Sequence, residues 1–411
     1  MTKTVWIVDK HACPPDYETH FRYFKYAQYL KDKGYKVEIF ISSFLHRQKI
    51  DLLKGNNIYE KREYNGIDYV LVKTLSYKNN GLRRMYSLFQ FVCRIKRISR
   101  YFAKPDIIIH SSNAPFSNGL CKFAKRNNIK YVAEILDLWP ESFVTFGLAK
   151  RKNPLIQLAF KMEKWLYKNA DNVVFSMEGG QDYIIDKKWD KQFNNGPVDL
   201  GKVLYINNSV DLDDYVRTRT ENPISFDYLD DKFFNIIYIG SISLANDVNK
   251  LIYAAELLQE NINIRFYIYG NGSERSNIEA YCKLNNISNV FFKDEWIDYK
   301  YVPSLLSKSS LNVLNFLQSD SEKYGGCQGK LFNYIASGKP ICSNIKMGYC
   351  LINKHNLGIA KEFNSPEEYA DAFLKMSNLS TDDYNAICDN VEKVSLEYDF
   401  KIQSQKLLSL L

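Results

Sequence analysis

Between Tyr324 and Ile341 the chain reads Tyr324-Gly-Gly-Cys-Gln-Gly-Lys330-Leu-Phe-Asn333-Tyr-Ile-Ala-Ser-Gly338-Lys-Pro-Ile341. Gly325, Gly326 and Gly329 give a backbone able to close on a ligand at a helix amino terminus, and Lys330 adds a full positive charge there. That combination suits a diphosphate. Asn333 lies three residues on and shares the Lys330 face of the first helical turn. Gly338 ends the predicted helix and Pro340 leads into the next strand. An ordinary helix with a glycine-rich approach explains Gly338 and Pro340 but not three glycines followed by a lysine.

A second loop, Gly240-Ser241-Ile242-Ser243, follows a predicted strand and precedes a helix capped by Asn246 or Asp247. Its small residues let backbone N–H groups approach phosphate oxygens, with the helix dipole adding positive potential; the plainer reading is a tight turn. Gly270-Asn271-Gly272 is read as a turn that needs positive φ. Near the middle of the first half, Glu134-Ile-Leu-Asp137-Leu-Trp139-Pro140-Glu141 places carboxylates at the end of a strand. Asp137 and Glu141 are the candidates to orient a hydroxyl or take its proton, although Glu141 equally suits the first turn of a helix. Asp211-Leu-Asp213-Asp214 imitates a metal-binding pair, but is read as a helix start, so no metal site is assigned.

The elements that position these residues follow a repeated α/β order. Thr4-Val-Trp-Ile-Val8 is a buried strand, a helix runs from about Phe21 to Lys33 and stops at Gly34, and Lys36–Ile41 is the next strand. Strands are predicted at 106–110, 130–136, 172–176 and 203–206, and a fresh series at 234–239, 264–269, 290–292 and 311–314. The aperiodic segment 216–231 reads as a linker. The fold class is therefore α/β, two Rossmann-like doubly wound domains over residues 1–215 and 216–397. A last helix, 398–411, is expected to pack back toward the first. Ligands of such domains bind in the cleft at the carboxyl ends of the strands.

The chain has 411 residues, 45% hydrophobic and 25% charged, with a formal net charge of +8. That excess favours an anionic partner: a nucleotide diphosphate, a lipid phosphate or a membrane surface. Zinc-finger spacing and a recognition-helix pattern are absent, which argues against nucleic acid. Eight cysteines are scattered singly, no signal peptide opens the chain, and no apolar run approaches 18 residues. A reduced, cytoplasmic, non-spanning protein is expected. The stretch from Leu82 to Lys104 carries seven basic and no acidic residues, with Leu82, Met85, Leu88, Phe89, Val92, Ile95 and Phe102 as an apolar stripe. It reads either as a membrane-surface helix or as a core-facing helix with a solvated basic side. The first loop lacks GxGxxG, which weakens a dehydrogenase reading.

Taken in order, Asp137-Leu-Trp-Pro-Glu-Ser142, Trp165-Leu-Tyr-Lys-Asn-Ala-Asp171, Ile206-Asn-Asn-Ser-Val-Asp211 and Lys330-Leu-Phe-Asn-Tyr-Ile-Ala-Ser-Gly-Lys-Pro340 resemble the family 4 glycosyltransferases of the GT-B fold. The likeness is greatest to the bacterial branch that builds capsule and O-antigen polysaccharides. It implies that Lys330 binds the donor diphosphate and Asn333 lies near the ribose. It further implies that Gly325, Gly326, Cys327, Gln328 and Gly329 line the sugar, while Gly240, Ser241 and Ser243 belong to the donor side. Arg22, with His20 beside it, would point into the cleft from the first loop. Family members retain anomeric configuration and use lysine, arginine and helix dipoles rather than a bound metal, so no cofactor is expected. Two glutamates that the family often places around the donor loop are here Gly325 and Asn333, and its usual arginine before the Asp-Leu-Trp-Pro run is Leu136.

The resulting expectation is transfer of a sugar from a nucleotide sugar, a UDP-sugar first, to a lipid-linked glycan acceptor by a peripheral protein at the inner membrane face. Two readings stand beside it. A nucleotide-sugar epimerase on the same fold would need no acceptor, and a catalytically silent member would only bind sugar or nucleotide.

Overall fold

Strand β1 (Thr4–Val8) is buried along its whole length, as a central strand of a parallel sheet must be when helices cover both faces. The computed structural model describes residues 2–17, 22–79, 81–112, 116–224 and 229–411. After β1 come β2 (Lys36–Ser42), a small antiparallel pair β3 (Phe44–Leu45) and β4 (Ile50–Asp51), then β5 (Tyr59–Tyr64) and β6 (Ile67–Val72). The first half closes with β7 (Ile107–Ser111), β8 (Lys130–Ile135), β9 (Asn172–Phe175) and β10 (Val203–Tyr205). These make an eight-stranded sheet in the order β10-β9-β8-β7-β1-β2-β6-β5, with β3 and β4 outside it. Its pairs are parallel except β5 with β6. The order reverses between β1 and β7, so the carboxyl ends of those strands flank the switch point.

The helix Arg22–Asp32 follows β1 and buries Tyr23, Phe24, Tyr26, Ala27 and Leu30, the spacing of one helical face. The helix Phe400–Leu408 lies against it, with the rings of Tyr26 and Phe400 edge to face at 6.3 Å. Residues Phe400–Leu411 thus complete the first unit, which otherwise runs from Met1 to Asn207.

The second unit, Asn208–Asp399, is built on β11 (Phe234–Ile239), β12 (Ile264–Tyr269), β13 (Val290–Phe292), β14 (Leu311–Leu314), β15 (Ile341–Ser343) and β16 (Gly358–Ala360). All are parallel, in the order β13-β12-β11-β14-β15-β16. Here the switch point lies between β11 and β14. Its core gathers Ile236, Tyr238, Leu251, Ile268, Val313, Phe332 and Tyr369, among others, from the sheet and the helices on both faces.

The structure departs from the sequence reading at two places. Segment 216–231 is not a plain linker, because the helix Leu212–Glu221, capped by the Asp211 carboxylate on the Asp214 N–H, occupies its first part. Of that helix Tyr215 alone is buried, which is why no apolar period showed. The division between units accordingly falls at Asn207/Asn208 rather than at 215/216. The hairpin β5–β6 was also missed; it turns through Asn65 and Gly66, both at positive φ. Among the described residues no helix is long and apolar enough to cross a membrane.

Candidate functional site

Lys330 is the second residue of the helix Gly329–Ala336, which follows β14 at the switch point of the second unit. Its ammonium lies 4.7 Å from the centre of the Tyr238 ring and 5.6 Å from that of Phe316, and donates to the Tyr238 hydroxyl at 3.2 Å. It has no carboxylate partner among the described residues. Burial lowers its pKa to about 8. A desolvated cation stacked on aromatic faces, with no counter-charge, favours an arriving anion strongly.

The loop before Lys330 adds donors. Gln328 is the N-cap residue but makes no side-chain cap, so the first N–H groups of this helix keep their bonding capacity for a ligand. The Gln328 Oε1 is itself buried without a partner. Gly325 sits at φ +88, and a Cβ on Gly326 would strike the Gln328 side chain. Cys327 lies between them, half-buried. Asn333 accepts a hydrogen bond from the Tyr299 hydroxyl at 2.9 Å on its Oδ1, which leaves its NH₂ to donate.

The Gly240 loop works differently from the sequence expectation. The N–H groups of Gly240 and Ile242 already donate to the carbonyls of Tyr269 and Asn271, because the loop after β12 lies backbone to backbone against it. That leaves the N–H groups of Ser241 and Ser243 for a phosphate. Ser243 caps a short turn and its hydroxyl donates to Asn246. Gly270 and Gly272 are required by this close approach, since a Cβ on either would fall about 2 Å from the carbonyl oxygens of Gly240 and Ile242. The function of Gly240 itself is to make room. A Cβ there would lie 2.2 Å from the Lys330 Nζ, at a φ of +143. Gly240→Ala is therefore expected to fold but to push the lysine aside, weakening nucleotide binding nearly as much as loss of the lysine. Unchanged affinity in that variant would contradict the packing described.

In the first unit, two candidates have other occupations. Arg22 opens the helix Arg22–Asp32 and is buried rather than standing on a loop. Its guanidinium donates to Glu134 Oε1 at 2.6 and 3.0 Å and to the carbonyls of Asn207 and Ile206 at 2.7 and 2.9 Å. It clamps β8 to the end of the first unit's sheet. Glu141 begins the helix Glu141–Thr145, buried, and is paired with both Arg151 and Lys187. Burial opposes its ionisation, but those two cations win and lower its pKa. It serves as an anchor, and a paired, stabilised carboxylate makes a poor base. His20 lies outside the described residues.

Asp137 is the exception. It follows β8, its side chain is exposed, and it makes no hydrogen bond or ion pair among the described residues. Surrounding protein still desolvates it enough to raise its pKa. An unpaired carboxylate of raised basicity is what a proton acceptor needs. Asp211, by contrast, is spent on capping its helix.

Two residues were passed over in the sequence. Glu322 precedes the glycines, and its carbonyl accepts from the N–H groups of Gly325 and Gly348. Burial raises its carboxyl to about 7. An acid beside a glycine-rich loop was the available signal. Trp296, after β13, is 85% exposed on a loop that reaches Asn333 through Tyr299. A bare indole there is a candidate platform for a base or sugar.

Two family models match this chain. Glycosyltransferase Family 4 covers residues 22–213 and Glycosyl transferases group 1 covers residues 223–394, so together they take in most of both units. The chain belongs to the GT-B glycosyltransferases of this family 4 and group 1 kind. Among solved structures it is similar to a trehalose-6-phosphate protein from E. coli bound with UDP-2-fluoro glucose, with a TM-score of 0.73, 12% identity and 99% and 98% of the two chains covered. It is also similar to Anabaena HepE in complex with UDP and glucose, with a TM-score of 0.65, 14% identity and the same coverage. A third is an α,α-trehalose-phosphate synthase (UDP-forming) from Burkholderia vietnamiensis, with a TM-score of 0.72, 9% identity and 99% of each chain covered. At such identities the likeness carries the fold. A search of curated proteins returned no match.

Proposed function

We propose that this glycosyltransferase moves a sugar, with retention of anomeric configuration, from a UDP-sugar to a lipid-linked glycan in the assembly of a surface polysaccharide such as capsule or O-antigen. The observation that carries the donor half is the Lys330 ammonium, without a carboxylate partner among the described residues and held over Tyr238 at the glycine-lined start of a helix at the switch point of the second unit. Uridine nucleotides bound in two of the similar structures support uridine as the base.

In this reading Lys330 and the open N–H groups of Gly329 and Lys330 take the negative charge that gathers on the leaving diphosphate. Asn333 donates to the ribose and the segment Gly325–Gly329 lines the sugar. Asp137 orients or deprotonates the acceptor hydroxyl. The test is a UDP-sugar panel incubated with a lipid extract from polysaccharide-producing cells, followed by NMR of the product. Labelled sugar on lipid, with its configuration kept, is the expected result. Conversion of the free donor without lipid would favour an epimerase. Binding without turnover would favour the silent member, whose motivating feature is Gly325 and Asn333 at positions where the family often has glutamates.

The acceptor half rests on the helix Leu82–Ile98. Its later residues Phe91, Val92, Ile95 and Ile98 face the core, while Leu82, Met85, Tyr86 and Phe89 are exposed at 84, 45, 55 and 55% beside Arg83. The two readings of this stretch thus apply to its two halves. Leu148, Leu155 and Leu158 add exposed apolar surface in the same unit. Apolar side chains flanked by cations suit an anionic bilayer surface, which supports the reading of a peripheral protein at the inner face of the cell membrane. Co-sedimentation with phosphatidylglycerol vesicles is expected to exceed that with neutral vesicles, and to fall several-fold in Met85→Gln/Phe89→Gln. Equal sedimentation with both vesicles would remove the membrane reading while leaving the donor site untouched.

A further inference from the structure

A second cluster of cations lies at the carboxyl ends of the first unit's strands. Lys10 and His11 follow β1, His46 and Lys49 stand at the tip between β3 and β4, Tyr77 lies on the loop after β6, and Arg84 is in the first turn of the helix Leu82–Ile98. Lys10 is only 5% exposed, yet its ammonium meets a phenol rather than a carboxylate: it donates to the Tyr77 hydroxyl at 3.2 Å and lies 4.8 Å from that ring's centre. Lys49 is 5.8 Å from the same ring, and the His46 imidazole stacks on it at 5.2 Å. The His11 ring lies 5.8 Å from that of His46, and its Nε2 is buried without a partner.

Charge in this cluster is lopsided. Burial and Arg84 lower Lys10 to about 7, with Asp9 opposing them. Burial, then the neighbouring cations Lys49, Arg84, Lys10 and Arg47, lowers His46 to about 4. His11 is lowered for the same reasons. Cations crowded at a strand-end switch point cost folding free energy, and an arriving anion would relieve that cost. Nothing in the donor reading uses these residues.

We infer that Lys10, His11, His46, Lys49, Tyr77 and Arg84 form a subsite for an oxyanion, a phosphate or carboxylate borne by the acceptor. The inference rests on the reading of the first unit as the acceptor side. It means the acceptor carries an anionic group on the part that meets the first unit, rather than being a neutral glycan.

The test uses the full chain with UDP present in saturating amount, so that the Lys330 site is filled. Inorganic phosphate, glucuronate and glucose are each titrated at matched ionic strength while thermal stability is followed. Phosphate or glucuronate is expected to stabilise the wild type where glucose does not, and which of them does so identifies the anion. Lys10→Met is expected to weaken that response at least tenfold while leaving stabilisation by UDP intact. Arg84→Gln, on a partly exposed residue, gives the same reading should the buried substitution prevent folding. Equal responses to all three probes, or an undiminished anion response in both variants, would overturn the inference. Absence of any UDP response would instead count against the donor reading, and the anion titrations repeated without UDP would still decide this one.

Discussion

Lys330→Ala is expected to lower kcat/KM for the UDP-sugar by about 10²–10³-fold, the range typical of removing one donor aimed at developing negative charge. The ground-state part of this, a hydrogen bond to a charged group, is worth about 1.5–3 kcal/mol, so UDP affinity should fall as well. Two features make the effect large. The ammonium is desolvated, which strengthens its pull on an anion, and among the described residues no carboxylate pairs with it. The same geometry predicts a pH dependence. Burial lowers the lysine to about 8, and a bound diphosphate favours its charged form. UDP affinity should therefore hold steady below that value and decline as pH rises through it. The linkage to folding has the opposite sign. Folding without ligand lowers this pKa, so the cost of burying the charge is fully present below about 8 and fades as pH rises toward the ordinary 10.5. Unchanged UDP affinity in Lys330→Ala, or a flat profile across pH 8, would remove Lys330 from the site.

The largest stability effect is expected at Arg22. Replacing it with methionine leaves the Glu134 carboxylate buried without its cation, with Oε2 already lacking a hydrogen-bond partner among the described residues, and strips the carbonyls of Ile206 and Asn207 of their donor. Breaking one side of a buried ion pair costs about 3–5 kcal/mol. The double change Arg22→Met/Glu134→Leu should recover much of that loss, because the isolated charge disappears. Urea unfolding followed by tryptophan fluorescence reports the effect, since Trp6, Trp139, Trp165 and Trp189 all lie in the first unit and Trp296 alone in the second. A midpoint for Arg22→Met close to wild type would contradict the clamp. So would a double variant weaker than either single change. The activity of the double variant then separates a purely structural arginine from one that also acts in the reaction.

Much of this fold was legible because parallel strands covered on both faces are continuous apolar runs. Strands β1, β11, β12, β13 and β14 begin and end where those runs do. The hairpin β5–β6 escaped notice because β5 is an edge strand whose residues are exposed or half-buried, leaving a polar sequence. Its Asn65-Gly66 dipeptide was a readable turn signal all the same. The helix Leu212–Glu221 was hidden for the reason that it buries a single side chain.

The site divides in the same way. Lys330 and its glycines could be singled out because their chemistry is local: a backbone shape, a helix start and one charge within six residues. Arg22 and Glu141 could not be judged, since the partners that occupy them lie outside their own motifs, at Glu134 and at Arg151 and Lys187. Residue type tells what a side chain can bond to, not what it meets. Gly240 shows the converse. Its sequence context suggested phosphate, whereas its contacts show that a distant lysine needs the space.

The central claim is that the second unit holds a uridine diphosphate on Lys330. The most direct measurement is thermal stabilisation of the purified protein by UDP, GDP, ADP and CMP without added metal. A ligand present at a hundred times its dissociation constant stabilises a fold by about 2.7 kcal/mol. The account predicts a selective response to UDP that is lost in Lys330→Ala. A protein indifferent to all four nucleotides, or a UDP response that survives in Lys330→Ala, would contradict it.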